Sequence, residues 1–94
     1  MTQSICIIDK WGTKRWYLDV KNKILHREGG PAIENKDGAK CWYINNMLHR
    51  EDGPAVTWFT IDNELRVQWF FNGHFVNCSS QEEFERLIKL KAFW

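Results

Sequence analysis

The 94-residue sequence predicts a mainly β (α+β) fold, an antiparallel β-meander of about three hairpin repeats capped by one C-terminal amphipathic α-helix. Three observations predict it. "LHREGGPAIE" at 25–34 returns as "LHREDGPAVT" at 48–57, so His26 and His49, like Pro31 and Pro54, stand 23 residues apart. An aromatic step recurs as Trp16-Tyr17-Leu18, Trp42-Tyr43-Ile44 and Trp69-Phe70-Phe71. After Cys78 the apolar spacing changes from period two to about 3.6.

These periods divide a single domain, 1–94, into units of about 5–31, 32–54 and 55–77, with a helix at about 80–92. Each unit reads as strand, turn, aromatic strand, turn, short strand and corner. "SICIID" opens the first unit as a short apolar edge strand, and Trp11 falls in the hairpin turn next to it. Side chains alternate along a strand, so Trp16 and Leu18, Trp42 and Ile44, and Trp69 and Phe71 should line one sheet face, with Tyr17, Tyr43 and Phe70 on the other.

"KDG" before the second aromatic strand and Asn72-Gly73 after the third are hairpin signals, because Asn and Gly tolerate positive φ. Asn45-Asn46 is a weaker version of the same turn. "DVKNK" lengthens the first copy of this loop by three residues, so Trp and His are 10 apart there and 7 apart in the second unit. "VTWFTIDN" lengthens the third hairpin and places Trp58 and Phe59 there. No connection before the end is long enough for a crossover helix.

In the helix, Phe84, Leu87 and Ile88 form an apolar stripe opposite Glu82, Glu85, Arg86 and Lys89. Ser80 and Glu83 have the spacing of a capping box, and Glu82–Arg86 and Glu85–Lys89 that of favourable i,i+4 pairs. Such a helix should lay its stripe on one sheet face and cap the array.

In the repeated phrase, Gly30 and Gly53 precede proline and are biased to extended backbone, while Pro31 and Pro54 fix φ near −65° at a strand start. Ala32 and Ala55 then allow close strand approach. This makes the phrase a corner. A second reading makes His26, Arg27, His49 and Arg50 two stacked binding sites, since a guanidinium offers five donors in a plane and an imidazole can stack or donate. The third unit carries Val76-Asn77 in place of His-Arg.

Composition excludes several classes. Thirteen Lys and Arg against twelve Asp and Glu give a formal charge of +1, which does not suit a charge-driven nucleic-acid binder. The apolar run before Asp9 is too short for a signal-peptide core or a membrane span, and three scattered cysteines suit a reducing compartment, so the chain reads as soluble and intracellular. Neither the cysteines nor the three histidines come in zinc-binding pairs. No motif for catalysis, metal or cofactor stands out, and the expectation is a non-enzyme.

"KxWYINxxLHREDGPAV" resembles the HREDGPA repeat of small proteins from tailed bacteriophages and giant viruses, itself reminiscent of MORN β-hairpin repeats. The likeness covers about Gly12 to Asn77 and is strongest over Asp37 to Val56. Gly29 stands where such repeats usually have Asp. The resemblance implies a virus-encoded accessory protein in the host cytoplasm. Together with the aromatic content, it leads to the expectation of a protein-binding module, an inhibitor of a host defence or regulatory protein, with Trp11, Trp58 and Phe59 as candidate anchors. Two alternatives remain: a structural protein that self-associates, for example as a homodimer through the "SICIID" edge, and a ligand or nucleic-acid binder through the His-Arg corners.

Overall fold

The computed structural model describes residues 4–90. In chain order the strands are β1 (Ile5–Ile8), β2 (Lys14–Asp19), β3 (Ile24–Leu25), β4 (Ile33–Glu34), β5 (Lys40–Cys41), β6 (Tyr43–Ile44), β7 (Met47–Leu48), β8 (Val56–Phe59), β9 (Leu65–Phe71) and β10 (His74–Val76). One helix, α1 (Gln81–Leu90), comes after them. The main sheet runs β1-β2-β4-β5-β8-β9-β10 with β3 also on β2, while β6 and β7 form a separate hairpin. All described pairings are antiparallel. The result is a slab with extents of 40 × 37 × 18 Å.

Three turns at one end of the slab share a bond pattern. The amides of Asp9, Asn35 and Thr60 donate to Thr13, Ala39 and Glu64 carbonyls, and those of Gly12, Gly38 and Asn63 donate back to Asp9, Asn35 and Thr60. The residue three along is left-handed in each, with φ of 86° at Gly12, 97° at Gly38 and 65° at Asn63. Asn fills a glycine position at modest cost because its short polar side chain tolerates this region. Asn63 lies six residues before its tryptophan, whereas Gly12 and Gly38 lie four before theirs. The third hairpin is therefore longer by two residues in its second arm.

The opposite turns carry the Asn pairs. Asn45 and Asn46 have φ of 48° and 67°, Asn72 and Gly73 of 48° and 81°, the doubly left-handed geometry of a tight hairpin. The Asn-Asn version has a compensation that glycine lacks: Asn46 Oδ1 accepts the Leu25 N–H at 2.7 Å. In the first unit the three-residue insertion is absorbed as a bulge between Tyr17 and Asp19, with Asn22 bonded to both oxygens of Asp19 and Lys23 at φ 54°.

The expected continuous aromatic strand is interrupted in the second unit. β5 ends at Cys41 and β6 begins at Tyr43, so Trp42 belongs to neither. Its backbone changes partner at that residue, donating N–H to Ala55 of the next unit and accepting at its carbonyl from His49 of its own. The helix matches its predicted start to one residue, while residues 91–92 of the prediction lie outside the described residues. Ser80 Oγ caps the Glu83 N–H as expected, but the Glu83 carboxylate returns to the Ser79 N–H. Arg86 turns to Glu83 at 3.8 Å, and Glu85 accepts from Gln81, in place of the predicted i,i+4 pairs.

Register separates the two faces, because directly paired residues point the same way. Trp16 shares a face with Cys6, and Trp69 with Val76. On this tryptophan face lie Ala32, Ala55 and Val76, all buried; Phe84 is fully buried as well, on the helix that the Trp69–Gln81 bond ties to this face. The other face carries a row paired across six strands, Ile7-Arg15-Ile33-Cys41-Val56-Gln68. Not one residue of that row is buried.

Candidate functional site

The two copies of the repeated phrase fold into near-identical corners opposite the tryptophan of their own unit. Arg27 places its guanidinium carbon 3.9 Å from the centroid of the Trp16 ring, and Arg50 lies 4.0 Å from that of Trp42. A cation over an indole face contributes about 0.5–2 kcal/mol, more as the pair is desolvated. Each guanidinium also donates from Nη1 at 3.1 Å to the proline carbonyl four residues on, Pro31 or Pro54. The glycine before that proline leaves no room for a side chain while the guanidinium keeps its place: a Cβ at Gly30 would sit 2.9 Å from Arg27 Cζ, and one at Gly53 2.7 Å from Arg50 Cζ. Tryptophan, arginine, glycine and proline thus form one packing unit.

Each histidine reaches forward into the next repeat. His26 Nδ1 accepts the Asn45 N–H at 3.1 Å, and His49 Nδ1 accepts the Asn72 N–H at 2.9 Å. The neighbouring backbone repeats the match: Asn46 N–H donates to Leu25 and Gly73 N–H to Leu48, both at 2.8 Å, while Arg27 N–H donates to Tyr43 and Arg50 N–H to Phe70. A corner is therefore a fastener that holds the aromatic hairpin of the next unit. Because Nδ1 accepts, the ring proton sits on Nε2. In His49 that proton is donated to Glu51 at 3.1 Å; in His26 the Nε2 atom is buried without a partner among the described residues.

The corners differ in their carboxylates. Arg50 donates from Nε to Asp52 at 2.8 Å, and this bond holds the Asp52 carboxyl below its ordinary range. Arg27, with Gly29 at the matching position, turns to Glu34 at 3.3 Å. Between the corners lies a cleft of about 280 Å³, lined by Arg27, Pro31, Trp42, His49 and Arg50 among others. The bonds of the two corners direct its arginine and histidine groups toward their own chain.

The third unit has no further repeat to fasten, and α1 takes the corner's place. Trp69 Nε1 donates to Gln81 Oε1 at 2.8 Å, and Gln81 Nε2 donates to the Glu51 carbonyl at 2.9 Å. The first residue of the helix thereby ties the last tryptophan to the second corner.

The predicted anchor residues separate. Trp58 and Phe59 are consecutive in β8, so they point to opposite faces: Trp58 is half-buried and Phe59 is 48% exposed. They cannot form one patch. Phe59 instead leans over the second turn, where a Cβ on Gly38 would meet its ring at 3.2 Å, and Gly12 of the first turn similarly lies against Lys36. The three turns are thus side by side, with Trp11, 70% exposed, at one end and Phe59, Ile61 and Leu65 exposed at the other. Ile61 and Leu65 were invisible as anchors from the sequence, although their place around an Asp-Asn turn signals a hairpin tip. Lys10 Nζ lies 4.6 Å from the Trp11 ring centroid, and Arg15 bonds Asp9 at 2.8 Å, holding that carboxyl below its ordinary range.

Burial pushes the Cys41 and Cys78 thiols up, which reduces their thiolate fraction at neutral pH. Among the described residues no group of three or more His, Cys, Asp or Glu is arranged to hold a metal ion, and no helix is long and apolar enough to cross a membrane. No family model, curated protein or solved structure matches the chain.

Proposed function

We propose that the chain is a small virus-encoded accessory protein that acts as a protein-binding module, inhibiting a host defence or regulatory protein in the host cytoplasm by occupying its surface. The observation that carries this reading is the row of turns at one end of the slab. Trp11, Phe59, Ile61 and Leu65 are exposed there on hydrogen-bonded hairpins. Large side chains on a preformed scaffold suit interface anchors, because little conformational entropy is lost on binding. The likeness of the repeated phrase to viral HREDGPA repeats supports the origin.

The test is retention from bacterial lysate on immobilised protein, with mass spectrometry of what is held, beside a Trp11→Ala/Phe59→Ala variant of confirmed fold. One host protein held by the native form and released by the variant supports the module. Equal retention by both, or retention of nothing, removes this surface from consideration.

A further inference from the structure

The two corners place their arginines alike. Cζ lies 3.9 Å from the Trp16 ring centroid in one and 4.0 Å from that of Trp42 in the other, and each Nη1 donates to its proline carbonyl at 3.1 Å. A Cβ on the glycine before the proline would meet Cζ, Nε and Nη1 at 2.9, 3.0 and 3.1 Å in the first corner. In the second it would meet them at 2.7, 3.0 and 3.0 Å. What differs is the Nε edge. Arg50 Nε donates to the Asp52 carboxylate at 2.8 Å. In the first corner Gly29 stands at the Asp52 position, and a Cβ there would meet nothing within 4 Å. Arg27 commits only Nη1, to Pro31 and to Glu34. Its Nε and Nη2 have no acceptor among the described residues, and neither atom is sealed from solvent.

We infer that the Nε–Nη2 edge of Arg27 binds the carboxylate of a small organic acid, a contact for which Arg50 and Asp52 are the pattern within the same chain. That edge offers two parallel N–H groups matched to the two oxygens of a carboxylate. Beside it lies the cleft of about 280 Å³, whose lining includes Gly29, Pro31, Trp42 and Ile44. Proline, indole and isoleucine suit a flat apolar body, and the volume, just under the roughly 300 Å³ at which small-molecule pockets begin, limits that body to about one ring. The neighbouring donors are engaged, Arg50 Nε by Asp52 and His49 Nε2 by Glu51, so Arg27 supplies the recognising edge. Glu34, 3.3 Å from Nη1, offsets part of the arginine's charge, and a ligand this small then binds in the millimolar range. None of Trp11, Phe59, Ile61 and Leu65 lines this cleft, so the inference stands or falls apart from the host-partner reading.

Titration of benzoate into the isotope-labelled full chain, followed by proton–nitrogen correlation spectra, tests it, with benzamide as the neutral twin of the probe. Benzoate should move the Arg27 Nε–H signal to saturation, together with the Gly29 N–H and Trp42 Nε1–H signals. The Nε–H signal of Arg50, already held by Asp52, should stay in place. Benzamide should leave Arg27 unmoved. Acetate has the carboxylate without the ring and should bind at least about threefold more weakly, for want of apolar area to bury. Arg27→Lys keeps the cation but removes the paired N–H edge, so the benzoate response at Gly29 and Trp42 should vanish from a spectrum that otherwise keeps the native pattern. Should that variant fail to fold, the titrations of the native protein decide alone. An unmoved Arg27 signal, equal movement of Arg50, or a benzamide response as large as that of benzoate each overturns the inference. Undiminished benzoate binding by folded Arg27→Lys does so too.

Discussion

At the first two junctions an arginine lies over a tryptophan and a histidine holds the next hairpin; at the third a glutamine takes the indole N–H and a helix replaces the next hairpin. The difference comes from the next element along the chain. Arg27 and Arg50 belong to corners whose backbone bonds a neighbouring unit, and these corners lie in the middle of the sheet. Trp69 is followed by α1 and not directly by another unit, and its partner comes from that helix. Phe84 is fully buried on the helix whose Gln81 takes the Trp69 N–H, whereas the corners bury only glycine, alanine and one imidazole. The junctions are thus held mainly by directional bonds, and the cap mainly by apolar area.

The largest effect should come from the cap. Phe84→Ala removes the one large fully buried side chain among the described residues and should lower unfolding free energy by about 3 kcal/mol or more, read by urea denaturation. A loss under about 1 kcal/mol, against the usual cost of such a truncation, would show that area does not dominate the cap.

Gly53→Ala pushes the Arg50 guanidinium off the Trp42 ring, for an expected loss of about 0.5–2 kcal/mol, the worth of that contact, and Gly30→Ala somewhat less. Combining Gly53→Ala with Arg50→Ala removes the clash, so the double variant should lose less than the sum of the two single changes. Strict additivity would separate glycine from arginine and dissolve the packing unit.

Gly29→Asp makes the first corner read like the second. It should not import the Arg50–Asp52 bond, because Gly29 has φ 80° while Asp52 is not left-handed. A loss of a few tenths to about 1 kcal/mol is expected from placing a side chain in that region. A gain in melting temperature would mean that the loops interconvert readily.

The smallest effect separates the corners by pH. The Asp52 carboxyl is depressed by Arg50, so its contribution is present above the unfolded value near 3.9 and is lost as pH falls through the lower folded value. For so exposed a pair it amounts to no more than about 0.5 kcal/mol. Asp52→Asn should therefore melt slightly below the native protein at about pH 6, and the gap should close below about pH 3. A gap that persists in acid would assign the effect to something other than this charge.

Much of the fold was legible because the repeat prints its own register. The aligned Trp and His-Arg positions place the strands, and Asn72-Gly73 and the Lys36-Asp37-Gly38 stretch announce turns whose φ values are positive where expected. Two features escaped. Alignment on Trp69 sets Leu65 against Gly12, which hides Asn63 as the true equivalent, because two extra residues lie between turn and ring. The break at Trp42 had no sequence signal either, for Trp16 makes the same two backbone bonds, to Ala32 and from His26, inside an unbroken β2. For the candidate site, the alternation rule applied to β8 would have parted Trp58 from Phe59. The approach of Phe59 to Gly38 is tertiary and had no sequence signal.

The fasteners also have a direction. The first unit only holds, the third is only held, and the middle unit does both through Asn45-Asn46 behind it and His49-Arg50 ahead. In the language of chain growth these are an initiator, a propagating monomer and a terminator. A tandem copy of the 32–54 block would meet its neighbours with the bonds already present at both junctions, so the array can lengthen by whole monomers while each end keeps its chemistry.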